Sequence, residues 1–193
     1  MSDPFAVLGL QPSPCVDAAT LHEAFRRAAA LHHPDTAKHP DATAQFFEIQ
    51  TARETLMDPV ENLRAYLQTL PGESPRVPSP SELPEDLVQL FARLSPFRET
   101  LVSLQTRIAR AQSPLTRALL ERERSALCST LAPLEQELAN AWQDRQGRLL
   151  SWWNTSPKKD PSPLWKILND LKFLHKWFTS FGFSIPPRPD SGA

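Results

Sequence analysis

Apolar positions recur every three or four residues along most of this chain, the spacing of helices that bury one face. Between Asp17 and His32 they fall at Leu21, Phe25, Ala28 and His32. Between Thr43 and Leu56 they fall at Phe46, Ile49, Ala52 and Leu56. The two stretches predict an antiparallel helical pair joined by a short loop, with Phe46 and Ile49 facing Leu21 and Phe25. Asp17 is placed to cap the first of these helices and Asp41 the second. Asp3 to Leu10 predicts a shorter helix, capped by Asp3, with Pro4 in its first turn and Gly9 at its end. Gln11 to Pro14 then reads as a turn. Asp58 and Pro59 open a fourth helix through Leu63, Tyr66, Leu67 and Leu70.

The pattern breaks between Pro71 and Pro84, where five prolines alternate with Gly, Ser and charge. Such a segment is an extended, partly stiff linker. Helical spacing then resumes. Glu85 to Leu94 predicts a short helix, and Ser95-Pro96 starts another through Leu101, Leu104, Ile108 and Ala111, unless Pro96 only kinks one long helix. Ser113-Pro114 opens a run through Leu120, Leu127, Leu131, Leu134, Leu138 and Trp142, bent at Pro133 and weakened at Gly147. After a charged turn at 157–161, Ser162-Pro163 caps a last helix through Leu164, Ile167, Leu168, Leu171, Leu174 and Phe178. The expected fold is all-α: a small helical domain over 1–70, a linker over 71–84, a three-helix bundle over 85–181, and a frayed tail over 182–193.

Composition narrows the chemistry. Five Gly against 20 Pro in 193 residues disfavours Gly-rich phosphate loops and β-rich folds. The net charge of −1 supplies no overall field for nucleic acid. Residues 1–70 carry five Lys/Arg against nine Asp/Glu, and the remainder sixteen against thirteen. Cys15 and Cys128 form neither a disulfide framework nor a metal knuckle and read as small packing residues in a reducing cytosol. The N-terminus shows no signal peptide, and no apolar run approaches the ~20 residues of a membrane span. The expected location is cytoplasmic, with no cofactor and no metal. Trp152, Trp153, Trp165 and Trp177 lie near Lys158, Lys159, Lys166, Lys172 and Lys176. That mixture suits nucleic acid or an anionic membrane, but a core aromatic row with a solvated lysine face explains it as well, and neither partner is expected.

One exposed motif remains. His33-Pro34-Asp35 falls at the tip between the paired helices, whereas the second copy, His39-Pro40-Asp41, falls at a helix start. The ordered set Pro4-Phe5-x-x-Leu8-Gly9, Leu21-x-x-x-Phe25-Arg26-Arg27, His33-Pro34-Asp35 and Phe46-x-x-Ile49-x-x-Ala52-x-x-x-Leu56-x-Asp58-Pro59 resembles a J domain. The resemblance implies a co-chaperone that stimulates ATP hydrolysis by a DnaK- or HscA-type chaperone, not an enzyme with catalytic residues of its own. It assigns chaperone contact to His33, Pro34, Asp35, Arg26 and Arg27, with His22 at another position that is often basic. These residue types suit the role. Pro34 stiffens the tip, Asp35 offers a carboxylate to a cation, and paired arginines grip carboxylates bidentately. Glu23, Ala30 and Leu31 dilute the positive face, and Arg53 replaces a usual aromatic, so weaker affinity than is typical is expected.

The layout of J domain, short fourth helix, linker and bundle resembles the HscB family, which serves iron–sulfur cluster assembly. Leu171-Lys172-Phe173-Leu174-His175-Lys176 and Phe97-Arg98-Glu99-Thr100-Leu101 carry the local likeness. It implies that Leu90, Phe91, Leu94 and Phe173 hold the cluster scaffold protein IscU. Ala92, Arg93 and Ser95-Pro96 stand where that family has acidic residues along the first bundle helix. The alternative is a J-domain interaction protein whose bundle forms a homodimer or binds some other partner.

Overall fold

The computed structural model describes residues 2–32, 41–70, 83–155 and 160–187. Among them are seven helices and no strand: α1 (Pro4–Leu8), α2 (Ala18–Leu31), α3 (Ala42–Met57), α4 (Pro59–Thr69), α5 (Glu85–Arg110), α6 (Pro114–Thr155) and α7 (Ser162–Phe181). The all-α expectation is met. The chain divides into two compact units. One holds α1 to α4 together with α6 from Gln146 and α7 up to Asn169; the other holds α5, α6 up to Arg145 and α7 from Asp170. The units are therefore not contiguous in sequence.

In the first unit, local chemistry sets the helix ends. The Asp3 carboxylate accepts from the Phe5 amide at 3.0 Å, Asp17 from Thr20 at 2.8 Å, and Asp58 from Val60 and Glu61 at 2.7 and 3.1 Å. Each bond satisfies a donor that the first helical turn leaves open. Hydrogen bonds from Thr20 hold the Asp17 carboxyl below its ordinary pKa. Asp41 stands at the start of α3, but its side chain makes no cap hydrogen bond, contrary to the expectation. Gly9 ends α1 with φ 64°, a conformation that costs glycine little. The amides of Gly9 and Leu10 then return to the carbonyls of Ala6 and Phe5.

Helices α1, α2 and α4 all pack against α3. The core holds Phe5, Leu8, Leu21, Ala24, Ile49, Ala52, Leu56, Leu63 and Leu67. Phe25, Ala28 and Phe46, expected inside, are only half-buried, whereas Ala24 is fully enclosed. A small residue on that face lets α2 approach its neighbours closely. Cys15 is half-buried, and Cys128, in the second unit, is exposed rather than packed. Tyr66 of α4 meets the edge of Trp153 of α6, ring centres 5.7 Å apart and nearly perpendicular.

Asn62 is a buried polar residue of this unit, with no exposed surface. With the amide oriented so that its nitrogen faces the α1–α2 turn, it donates to the carbonyls of Ser13 and Pro14 at 3.0 and 2.9 Å, fastening α4 to that turn. Those carbonyls have no regular ladder to join. Asn62→Ala should therefore destabilise the unit by about 1–3 kcal/mol, the cost of leaving buried acceptors unmet. Urea unfolding followed by circular dichroism reads that shift.

In the second unit α5 runs unbroken for 26 residues with Pro96 inside it, so of the two readings of Ser95-Pro96 the single long helix is the one found. Pro96 and Ala92 both face solvent. The carbonyl that Pro96 leaves unpaired thus lies on the wet side, where its loss is tolerable. Pro133 lies inside the 42-residue α6 in the same exposed setting. Arg93–Glu137 and Arg107–Glu123 pair α5 with α6 antiparallel. Leu87, Leu94, Leu104, Leu131, Leu138, Trp142, Leu171, Leu174 and Phe178 fill the core.

Asp160, not Ser162, caps α7: its carboxylate accepts from the Ser162 amide at 3.0 Å and hydroxyl at 2.6 Å. The expected fraying from residue 182 also fails at its start. Gly182 adopts φ 70°, the Phe183 amide reaches the Phe178 carbonyl at 2.9 Å, and Phe183 stacks on Phe181.

Candidate functional site

The expected chaperone-binding residues divide into two groups. His22, Arg26 and Arg27 are exposed on α2. His22 and Arg26 are one turn apart and share a face. His33, Pro34 and Asp35 lie outside the described residues; in sequence they begin two positions after the end of α2. Arg53, read from sequence as a departure, places its guanidinium 4.8 Å from the centre of the Phe25 ring. A cation over an aromatic face thus fills the place where two aromatics would meet. It secures the α2–α3 pair just behind the basic face.

In the second unit, Leu90 and Leu94 are 5% and 0% exposed, so they belong to the bundle interior. Phe91 is 49% exposed on the same helix. Its ring stacks on Trp177 of α7 at 5.3 Å and 19°. Phe173, half-buried, meets the same indole edge-on at 6.4 Å. The structure thus brings Phe91 and Phe173 together through Trp177 and sets Leu90 and Leu94 beneath them. Sequence reasoning placed Trp177 in a core aromatic row and missed this bridging role. Its spacing of four from Phe173 was the available signal. Of the other tryptophans in that row, Trp152, Trp153 and Trp165 are half-buried. Lys166, Lys172 and Lys176 are exposed, while Lys158 and Lys159 lie outside the described residues.

Beneath this surface Arg145, 4% exposed, organises the unit. Its guanidinium donates to Asp170 at 3.2 Å and to Asp86 at 2.6 Å. Burial opposes its charge, but the bonds to Asp86 and Asp170 outweigh that and raise its pKa. Those two bonds join α5, α6 and α7. Among the described residues no group of three or more His, Cys, Asp or Glu is arranged to hold a metal ion. None of the helices described is long and apolar enough to cross a membrane.

Comparison with known proteins follows this division. Residues 3–65 match the DnaJ domain family. The curved DNA-binding proteins of Escherichia coli O1:K1 and Citrobacter koseri are each 41% identical over 58 residues, 30% of this chain. The match spans only 18% of those relatives' length, so it is a likeness of the J-domain portion. The crystal structure of the human co-chaperone protein HscB covers 94% of this chain and 81% of its own, with a TM-score of 0.56 at 15% identity. The superposition shows a common fold and, at that identity, the fold alone. Residues 3–65 thus match a DnaJ domain, and the chain as a whole resembles HscB in fold.

Proposed function

We propose that the chain is a co-chaperone whose J domain accelerates ATP hydrolysis by a DnaK- or HscA-type chaperone and whose second unit brings a client to it. The observation that carries this reading is the DnaJ match over residues 3–65, which sets His33-Pro34-Asp35 directly after a helix exposing His22, Arg26 and Arg27. The arginines steer an acidic chaperone surface toward the loop. Asp35 supplies a carboxylate to a cation on the partner. The chain contributes no group to the chemistry of ATP. It acts by binding one state of its partner better than another.

The client in this reading is an iron–sulfur scaffold of the IscU type. Its support is the HscB-like fold together with the half-exposed pair Phe91 and Phe173 on Trp177. Aromatic anchors of this kind carry much of an interface's energy. Leu90 and Leu94 serve from below by holding α5 in place.

Capture tests both halves. The immobilised intact chain should retain a DnaK-type chaperone in the presence of ATP, and should also retain purified IscU-type scaffold. Phe91→Ala with Phe173→Ala should weaken scaffold retention by about tenfold or more. The same variant should leave chaperone retention and helicity unchanged. Failure to retain the chaperone would refute the co-chaperone role. A stable dimer that ignores the scaffold would favour the homodimeric interaction protein instead.

A further inference from the structure

The client surface has an unusual charge pattern. Val88, Phe91, Ser95, Arg98 and Val102 follow at intervals of three, four, three and four along α5, so they form one stripe. All five are exposed, Val88 by 48%, Phe91 by 49% and Val102 by 52%. That much apolar side chain in one row, on a helix whose opposite side is buried, is a docking surface rather than chance exposure. The stack of Phe91 on Trp177 carries the stripe across to α7. There Phe173 continues it, and the exposed Lys172 and Lys176 edge it one position to the side. The stripe and this edge contain three cations, Arg98, Lys172 and Lys176, and the exposed Glu99 borders the stripe one position from Arg98.

We propose that this surface takes an apolar segment of the client flanked by carboxylates. The inference rests on the client-delivery reading and names the chemistry of that client. Apolar side chains of the segment lie over Phe91 and Phe173, which already expose ring surface to be covered. Glutamates or aspartates on either side of them meet Arg98 on one edge and Lys176 on the other. Arginine at position 98 pairs with a carboxylate through two parallel bonds, whereas the lysines act as point charges. Acidic residues expected on this helix from the family resemblance are absent: Ala92, Arg93 and Ser95-Pro96 take their places. Arg93 is already paired with Glu137, so the cations left to select an acidic client are Arg98, Lys172 and Lys176. Rim charges of this kind set which partner is admitted and how fast it arrives.

Two synthetic peptides test the proposal on the intact chain. They share length and a central apolar run; one is flanked by glutamates, the other by lysines. Titration should show the glutamate peptide binding about tenfold or more tightly, with the advantage shrinking as salt rises. Arg98→Glu with Lys176→Glu should reverse the preference, and Arg98→Lys with Lys176→Arg should keep it. Purified IscU-type scaffold forms the third arm and should compete with the glutamate peptide. If the scaffold does not compete while the glutamate peptide still binds, the identity of the client is wrong and the surface stands. Equal binding of both peptides, preference for the lysine peptide, or binding of neither overturns the proposal.

Discussion

Arg145→Met should destabilise the second unit by about 3–5 kcal/mol, the cost of stranding a buried charge. Asp170 is 7% exposed at its side chain and receives the Arg145 Nε at 3.2 Å. Methionine fills the space of the arginine stem but removes the cation, so the Asp170 carboxylate stays buried with less to offset its lost hydration. Asp86, by contrast, is 56% exposed at its side chain and can return to water. Asp86→Asn should accordingly cost less than Arg145→Met, about 1–3 kcal/mol, because it weakens the bond to a buried guanidinium without burying an unpaired carboxylate. Arg145→Met with Asp170→Leu should recover most of the loss, because removing both partners removes the stranded charge. Urea unfolding followed by tryptophan fluorescence, to which the enclosed Trp142 contributes, reads all three. A loss below about 1 kcal/mol for Arg145→Met would mean that the network is not what joins α5, α6 and α7.

How much of this was legible in the sequence depended on how far each cause reaches along the chain. The caps at Asp3, Asp17 and Asp58 and the turn at Gly9 act over two to five residues, and their residue types announce them. The J-domain motif was legible for the same reason, being an ordered string of local signals. Pro96 was not. Whether a proline breaks a helix depends on which side its orphaned carbonyl faces, and that is settled by α6 and α7, which come later in the chain. Leu90 and Leu94 failed as surface candidates for a related reason. Their spacing fits a buried face as well as a binding one, and only the position of α7 against Phe91 separates the two. Asp160 displaced Ser162 as the cap of α7 because a carboxylate two residues upstream accepts from both the amide and the hydroxyl of the serine. The sharing of α6 and α7 between two units left no local mark at all.

Asp35→Asn should abolish acceleration of the chaperone's ATP hydrolysis while leaving both units folded. The asparagine keeps the shape and loses the charge. Removing one partner of a hydrogen-bonded charge pair at an interface costs about 2–5 kcal/mol, which is more than tenfold in the population of the productive complex. His33→Gln, two positions earlier in the same motif, should act in the same direction. Circular dichroism of both variants should match that of the wild-type chain. Arg26→Ala with Arg27→Ala should give a different signature. It weakens affinity and flattens the salt dependence but leaves acceleration at saturation, because those residues steer the encounter.

The most direct measurement is single-turnover ATP hydrolysis by a purified DnaK-type chaperone as the intact wild-type chain is titrated in. The co-chaperone reading predicts a rate that rises with the chain's concentration and saturates, and a flat response with Asp35→Asn at every concentration. A rate unmoved by the wild-type chain, or one that Asp35→Asn raises equally well, would contradict it.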